Sequence, residues 1–173
     1  MKHARLHVVS FEELLAPSKR AAVLKGMVAF TLDSNAAGMG VRPDDLDQSV
    51  AVVADALVRT LDSEMGRWLL SGDHEEEACE LPISGVIDGR LVNAVVDRTF
   101  VDADGVRWVV DYKSGYHAGS DLEGFLAQER EHYQEQLDGY RRLFEQLEYR
   151  PVKTALYLPR HGRLEVVAPA DSG

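Results

Sequence analysis

The sequence predicts an α/β domain: a mixed sheet with an antiparallel three-stranded meander, a crossover helix and a further strand, flanked by helices. Three observations carry that expectation. Three apolar segments between Glu80 and Lys113 are separated by the turn sequences Asp88-Gly89 and Asp102-Ala-Asp-Gly105. The hydrophobic period then becomes helical across Asp121 to Leu147. A further apolar run, Val152 to Leu158, follows that helix, and a strand–helix–strand connection places it parallel in the same sheet.

The elements follow in chain order. Phe11 to Leu15 and Ala21 to Leu32 have helical character, and Asn35-Ala-Ala-Gly-Met-Gly40 breaks it. Pro43, Asp44 and Asp45 form a helix start whose acids complement the helix dipole. Leu46, Val50, Val53, Leu57, Leu61 and Met65 then predict one amphipathic helix to about Leu70. Asp73 to Glu77 reads as a solvated acidic loop. The strands of the meander are Glu80–Ile87, Leu91–Val101 and Val106–Lys113. Leu126, Tyr133, Leu137, Tyr140, Phe144 and Leu147 form the stripe of the crossover helix, weakened by Gly124 and Gly139. His161-Gly162 turns the fourth strand back into Leu164–Val167. The division is a lead-in over residues 1–20, one domain over 21–168 and a tail over 169–173.

Composition narrows the function classes. With a single cysteine, Cys79, the chain has no internal disulfide, four-cysteine zinc site or iron–sulfur cluster. No run approaches the ~18 apolar residues of a membrane span and no signal-peptide pattern is present, so no membrane partner and a cytoplasmic location are expected. A net charge of −10 argues against binding nucleic acid by bulk electrostatics. It leaves room for an enzyme that reaches phosphates through divalent cations, because such a site is itself built from acids. The first 25 residues are basic, which fits either a nucleic-acid contact or the end of a larger protein; we read them as the second.

The turns set a register. If Asp88-Gly89 is a two-residue loop, Ile87 pairs with Arg90 and Glu80 lies opposite Asp97. If Gly105 is left-handed in a three-residue loop, Asp102 pairs with Val106 and Asp97 lies opposite Asp111. Lys113 falls two places further along the face of Asp111. Opposed Cβ atoms in a sheet are only ~5 Å apart, so a row of carboxylates repels itself unless a cation binds or a proton is held. Three solvated acids at strand ends is the alternative. Three acids and a lysine facing one point are what metal-dependent phosphodiester hydrolysis requires, with Mg²⁺ activating a water and the ammonium stabilising developing charge.

These residues also carry a resemblance. Val96-Asp97-Arg98, then Val110-Asp111-Tyr112-Lys113-Ser114-Gly115, then Gln136 and Tyr140 on a helix, resemble the restriction-endonuclease-like, or PD-(D/E)XK, nuclease superfamily. The branch it resembles is the RecB/AddA-type nuclease domain at the C-terminus of UvrD/Rep-like helicases that process double-strand breaks. The resemblance spans roughly residues 20–160 and implies a restriction-endonuclease-like core. It also implies a deoxyribonuclease that uses Mg²⁺ or Mn²⁺, with DNA and a helicase domain or subunit of the parent protein as partners. Asp97 and Asp111 match the metal ligands, with the Tyr112 carbonyl as a third; Lys113 matches the catalytic lysine and Glu80 the acid on the preceding strand. Gln136 and Tyr140 match the motif linked to DNA contact, and Tyr133, on their helix face at helical spacing, is expected to share that contact; core packing is the alternative for both tyrosines. One position departs from the family. After Gly26-Met-Val-Ala stands Phe30, where the family carries a metal-binding histidine, and none of the six histidines replaces it. His74 and His117 read as solvated loop residues. A degenerate module retained for DNA or helicase contact is therefore the alternative function. No phosphate-loop motif is present, so this chain has no helicase motor of its own.

Overall fold

A computed structural model describes residues 43–169. The helical segments expected before Pro43, and Phe30 with them, lie outside the described residues. Pro43 opens helix α1 (Pro43–Asp62), which is followed at once by the short α2 (Glu64–Leu69). The single helix expected to reach Leu70 is thus broken at Ser63. The physical reason is a cap: Ser63 has extended backbone, and its hydroxyl accepts a hydrogen bond from Gly66 N at 2.9 Å. Gly66 sits so tightly that a Cβ there would meet Thr60 O at 2.1 Å and Tyr157 Oη at 2.6 Å. Only glycine lets α2 turn this sharply and lie against the sheet. The buried stripe of α1 runs through Val50, Ala54 and Leu61, while Val53 and Met65, expected to be inward, are exposed.

The sheet contains β1 (Glu75–Ile87), β2 (Arg90–Val101), β3 (Arg107–Tyr112), β4 (Val152–Leu158) and β5 (Arg163–Val167), in that spatial order. β1 to β3 form the antiparallel meander, β3 and β4 are parallel, and β5 returns antiparallel to β4. Helix α3 (Leu122–Leu147) makes the crossover, capped by the Asp121 side chain on Gly124 N. Both turns have the expected chemistry. Asp88 and Gly89 have φ of 51° and 74°, the left-handed pair that a tight two-residue hairpin needs, and Gly105 has φ 77°. Ile87 pairs with Arg90, and Asp102 N donates to Val106 O at 3.0 Å.

β1 begins earlier than expected. Glu75 to Glu77 belong to the strand instead of a solvated loop, because buried arginines hold them: Arg98 donates to Glu77 at 3.2 Å, and Arg107 pairs with Glu76 and, at 2.7 Å, with Glu148. A bulge between Glu75 and Ala78 accommodates the extra residue.

The sheet separates two apolar cores. On one side α3 packs Leu126, Leu137, Leu143 and Phe144 over Ile83, Val96, Val109 and Leu156. On the other, Leu69 of α2 packs against Phe100, Trp108, Val110 and Tyr157. Leu147, the last residue of the expected α3 stripe, is exposed. No described helix is long and apolar enough to cross a membrane.

The turn between β2 and β3 is organised by one carboxylate. Asp102 accepts from Asp104 N, Val106 N and the Trp108 indole at 3.0, 2.9 and 2.7 Å. Burial alone would raise its pKa, but these donors outweigh it and hold the carboxyl below its usual range. A depressed folded-state pKa stabilises above the unfolded value and loses that contribution as pH falls through the folded one. Asp102→Ala is therefore expected to cost about 2 kcal/mol in urea unfolding at pH 7. The gap to the parent should close as pH falls below the carboxylate range.

Candidate active site

The β2–β3 ladder ends at the pair Arg98–Val110. One step further on, where Asp97 and Asp111 were expected to pair, the strands part. The freed amide of Tyr112 donates instead to Asp97 Oδ2 at 2.8 Å. A side chain thus takes over a bond that the ladder would otherwise have made.

The same level of the sheet is irregular on β1. Glu80 has φ 50°, uncommon for a residue with a Cβ, and stands between the pairs Cys79–Arg98 and Leu81–Val96. Both strands swap faces here. Leu81, Ile83 and Val96 join the α3 core, whereas Phe100 joins the α2 core and Arg98 reaches Cys79 and the Phe100 ring. Residues of equal parity would share one face of a regular strand, so the crossover falls at Glu80 and Asp97. The register is as counted, yet the expected row of three facing acids is not formed. Glu80 is exposed, and among the described residues no group of three or more His, Cys, Asp and Glu gathers at one point.

Asp111 is 4% exposed, on the α3 side of β3 together with Val109. Its Oδ1 accepts from Gln136 Nε2 at 3.1 Å, and its Oδ2 lies 2.7 Å from Lys113 Nζ. That second contact is an ion pair, and apart from this ammonium no donor among the described residues reaches the buried Oδ2. Burial pushes the Asp111 carboxyl above its usual range; Lys113 and Gln136 pull it back, and the charge of Asp97 pushes it further up. Lys113 is held above its ordinary range because Asp111 outweighs the effect of its own burial. Its backbone N–H donates to Tyr157 O at 2.9 Å, so β4 still grips the chain beyond the end of β3. Gly115 then passes close to Phe125 and Glu129, where a Cβ would meet their side chains at 3.2 and 3.3 Å.

Helix α3 supplies the remaining groups. Gln136 Nε2 also lies 2.6 Å from Tyr140 Oη, so one amide joins the buried carboxylate to the buried tyrosine. Tyr133 lies under Lys113, with Nζ 4.0 Å from its ring centroid. Gln136, Gly139 and Tyr140 face Ile87, Val92 and Ala94 across a cleft of about 550 Å³ between α3 and the β1–β2 hairpin. The Tyr112 side chain points to the opposite side of the sheet, edge-on to Tyr157, and burial raises its pKa to about 12. Only its backbone belongs to the site.

Both histidines read as solvated are packed instead. His74 stacks on Phe100 at 4.0 Å with Nε2 2.7 Å from Trp68 O, and His117 stacks on Phe125 with its backbone N–H donating to His161. An aromatic cluster of Tyr116, His117, Phe125 and His161 lies just beyond Lys113. His161 had read only as a turn residue, because contacts between distant loops leave no periodic signal.

The donor set suits a hard divalent cation: two carboxylates on neighbouring strands where their pairing stops, one of them with a buried oxygen that, among the described residues, only Lys113 approaches. The family model of the PD-(D/E)XK nuclease superfamily matches residues 8–170. No individual curated protein matches the chain.

A carboxyl whose folded-state pKa is raised contributes stability below its unfolded pKa and loses it as pH rises through the folded value. Asp111 thus opposes folding at neutral pH. Asp111→Asn, which keeps the shape, is expected to raise the melting temperature at pH 7 and to flatten the fall in stability above the carboxylate range. Calorimetry across pH checks both.

Proposed function

Because the chain belongs to the PD-(D/E)XK nuclease superfamily, we propose that it is a metal-dependent deoxyribonuclease domain that hydrolyses phosphodiester bonds. The observation that carries this reading is the meeting of Asp97, Asp111 and Lys113 where β2 and β3 part. In this reading Asp97 and Asp111 hold Mg²⁺ or Mn²⁺, with the Tyr112 carbonyl as a third oxygen. Such a cation supplies Lewis acidity for activating water and offsets phosphate charge. The protein's own part is placement. Gln136 fixes the rotamer of Asp111 by occupying Oδ1, which would leave Oδ2 to hold the cation. The Tyr112 amide fixes Asp97 in the same way. Lys113 brings a positive charge to where the pentacovalent phosphate accumulates negative charge. Glu80 matches the family's acid on the preceding strand, but its side chain is exposed and makes no group of three acids with the aspartates.

The substrate we assign is DNA, within a helicase–nuclease that processes double-strand breaks, with the helicase domain or subunit as partner. What supports this is the resemblance of Asp111-Tyr-Lys-Ser-Gly115, Gln136 and Tyr140 to that branch. A second reading, a nuclease-fold module kept for DNA or helicase contact, is favoured by Phe30 in the position of the family histidine.

Incubation of the chain with linear single- and double-stranded DNA and Mn²⁺ separates the two. Cleavage that falls at least about 100-fold in both Asp111→Ala and Lys113→Ala is expected. No cleavage at any metal concentration, or equal cleavage by all three proteins, supports the non-cutting module. Phe30→His is expected to lower the metal concentration needed for half-maximal cleavage.

A further inference from the structure

Lys113 has two partners of different kinds. Its ammonium lies 2.7 Å from Asp111 Oδ2 and 4.0 Å from the centroid of the Tyr133 ring. The side chain is only 20% exposed, and carboxylate and ring both lie at its ammonium. These contacts have different fates when a cation binds. The carboxylate oxygen facing Lys113 has no partner among the described residues besides that ammonium, whereas Gln136 holds the other, so it is the one a divalent cation would claim. Lys113 would then lose much of its ion pair and feel a repelling charge nearby. Four rotatable bonds would free it to swing into solvent. An aromatic face keeps its attraction for an ammonium and does not compete for the metal.

The ring is well placed to act this way. Tyr133 shares one face of α3 with Gln136 and Tyr140. It packs partly against the α3 core, and His132 meets it edge-on at 4.5 Å. We propose that Tyr133 is a positioning residue, whose ring holds the Lys113 ammonium beside the scissile phosphate while Asp111 is occupied by the cation. This role replaces the DNA contact expected for Tyr133 from its helix face, and it rests on the nuclease reading above.

The test uses the full chain with lysine labelled at ¹³Cε, compared with Tyr133→Phe, which keeps the ring, and Tyr133→Leu, which keeps apolar bulk alone. Lys113 is assigned by its loss in Lys113→Arg, and Lys153, which lies over Trp108, serves as an internal control. With and without Mg²⁺, the Lys113 Cε protons should be shifted upfield by ring current in the parent and in Tyr133→Phe. The shift should vanish in Tyr133→Leu while Lys153 stays in place. In cleavage of linear DNA, Tyr133→Leu should lower kcat about 10-fold at nearly unchanged KM, and Tyr133→Phe should restore most of it. A Lys113 signal that does not move in Tyr133→Leu, or that loses its ring shift when Mg²⁺ is added, overturns the proposal whether or not the chain cuts DNA. A rise in KM at constant kcat also overturns it, since that marks a substrate contact. Absence of cleavage in the parent instead overturns the nuclease reading, and the spectra alone then decide the Tyr133 contact.

Discussion

The amide of Tyr112 depends on a side chain for its hydrogen bond. The ladder from β2 stops at Arg98–Val110, and the Asp97 carboxylate supplies the next acceptor. A hydrogen bond to a charged acceptor is worth about 1.5–3 kcal/mol, and a buried amide left unpaired costs a comparable amount. The contact therefore does two things at once. It ends strand pairing without an orphaned donor, and it fixes an acid at the opening between two strands. On the far side of the opening, Asp111 must be buried because Val109 and Val110 bracket the two cores on either face of β3. A carboxylate so placed costs free energy at neutral pH, and Lys113 and Gln136 offset only part of it.

Helix α3 couples this site to the fold. Leu126, Leu137, Leu143 and Phe144 anchor it over the sheet, and the same rigid element carries Tyr133, Gln136 and Tyr140. Side chains on a packed helix are held more tightly than loop side chains, so the polar contacts to Asp111 and Lys113 inherit the precision of the core. At the other end of β3, Arg107 ties Glu76 of β1 to Glu148 at the end of α3. The central strand is thus gripped at its start by ion pairs and at its end by the site.

Much of the fold was legible because turn chemistry is local. Asp88-Gly89 and Gly105 announce their left-handed backbones, and those turns set both registers. The helix–strand alternation after Gly115 announced the crossover and the parallel pair. The face swap at Glu80 and Asp97 was hidden, because nothing in a glutamate signals a φ of 50°. Alternation counted through that point puts Glu80 with the aspartates, whereas the backbone leaves it exposed. The break at Ser63 was hidden for a related reason: the apolar stripe runs straight through it, and the cap and the seating of Gly66 depend on Thr60 and Tyr157. Glu76, Glu77 and His74 looked solvated because their partners, Arg107, Arg98 and Phe100, lie at least 20 residues away along the chain. Of the site, Asp97, Asp111 and Lys113 stood out in the sequence; the contact of Tyr133 with Lys113 emerged only from its distance to Nζ.

The central claim is that the parting of β2 and β3 builds a cation site around the Tyr112 amide. Titrating Mn²⁺ into the uniformly ¹⁵N-labelled full chain tests it directly, because paramagnetic broadening marks the amides nearest the ion. The account predicts that Tyr112 and its neighbours broaden first, and that Asp97→Asn abolishes this at the same Mn²⁺ concentration. A Tyr112 signal that stays sharp while Asp73 to Glu77 or Asp102 to Gly105 broaden first would contradict it.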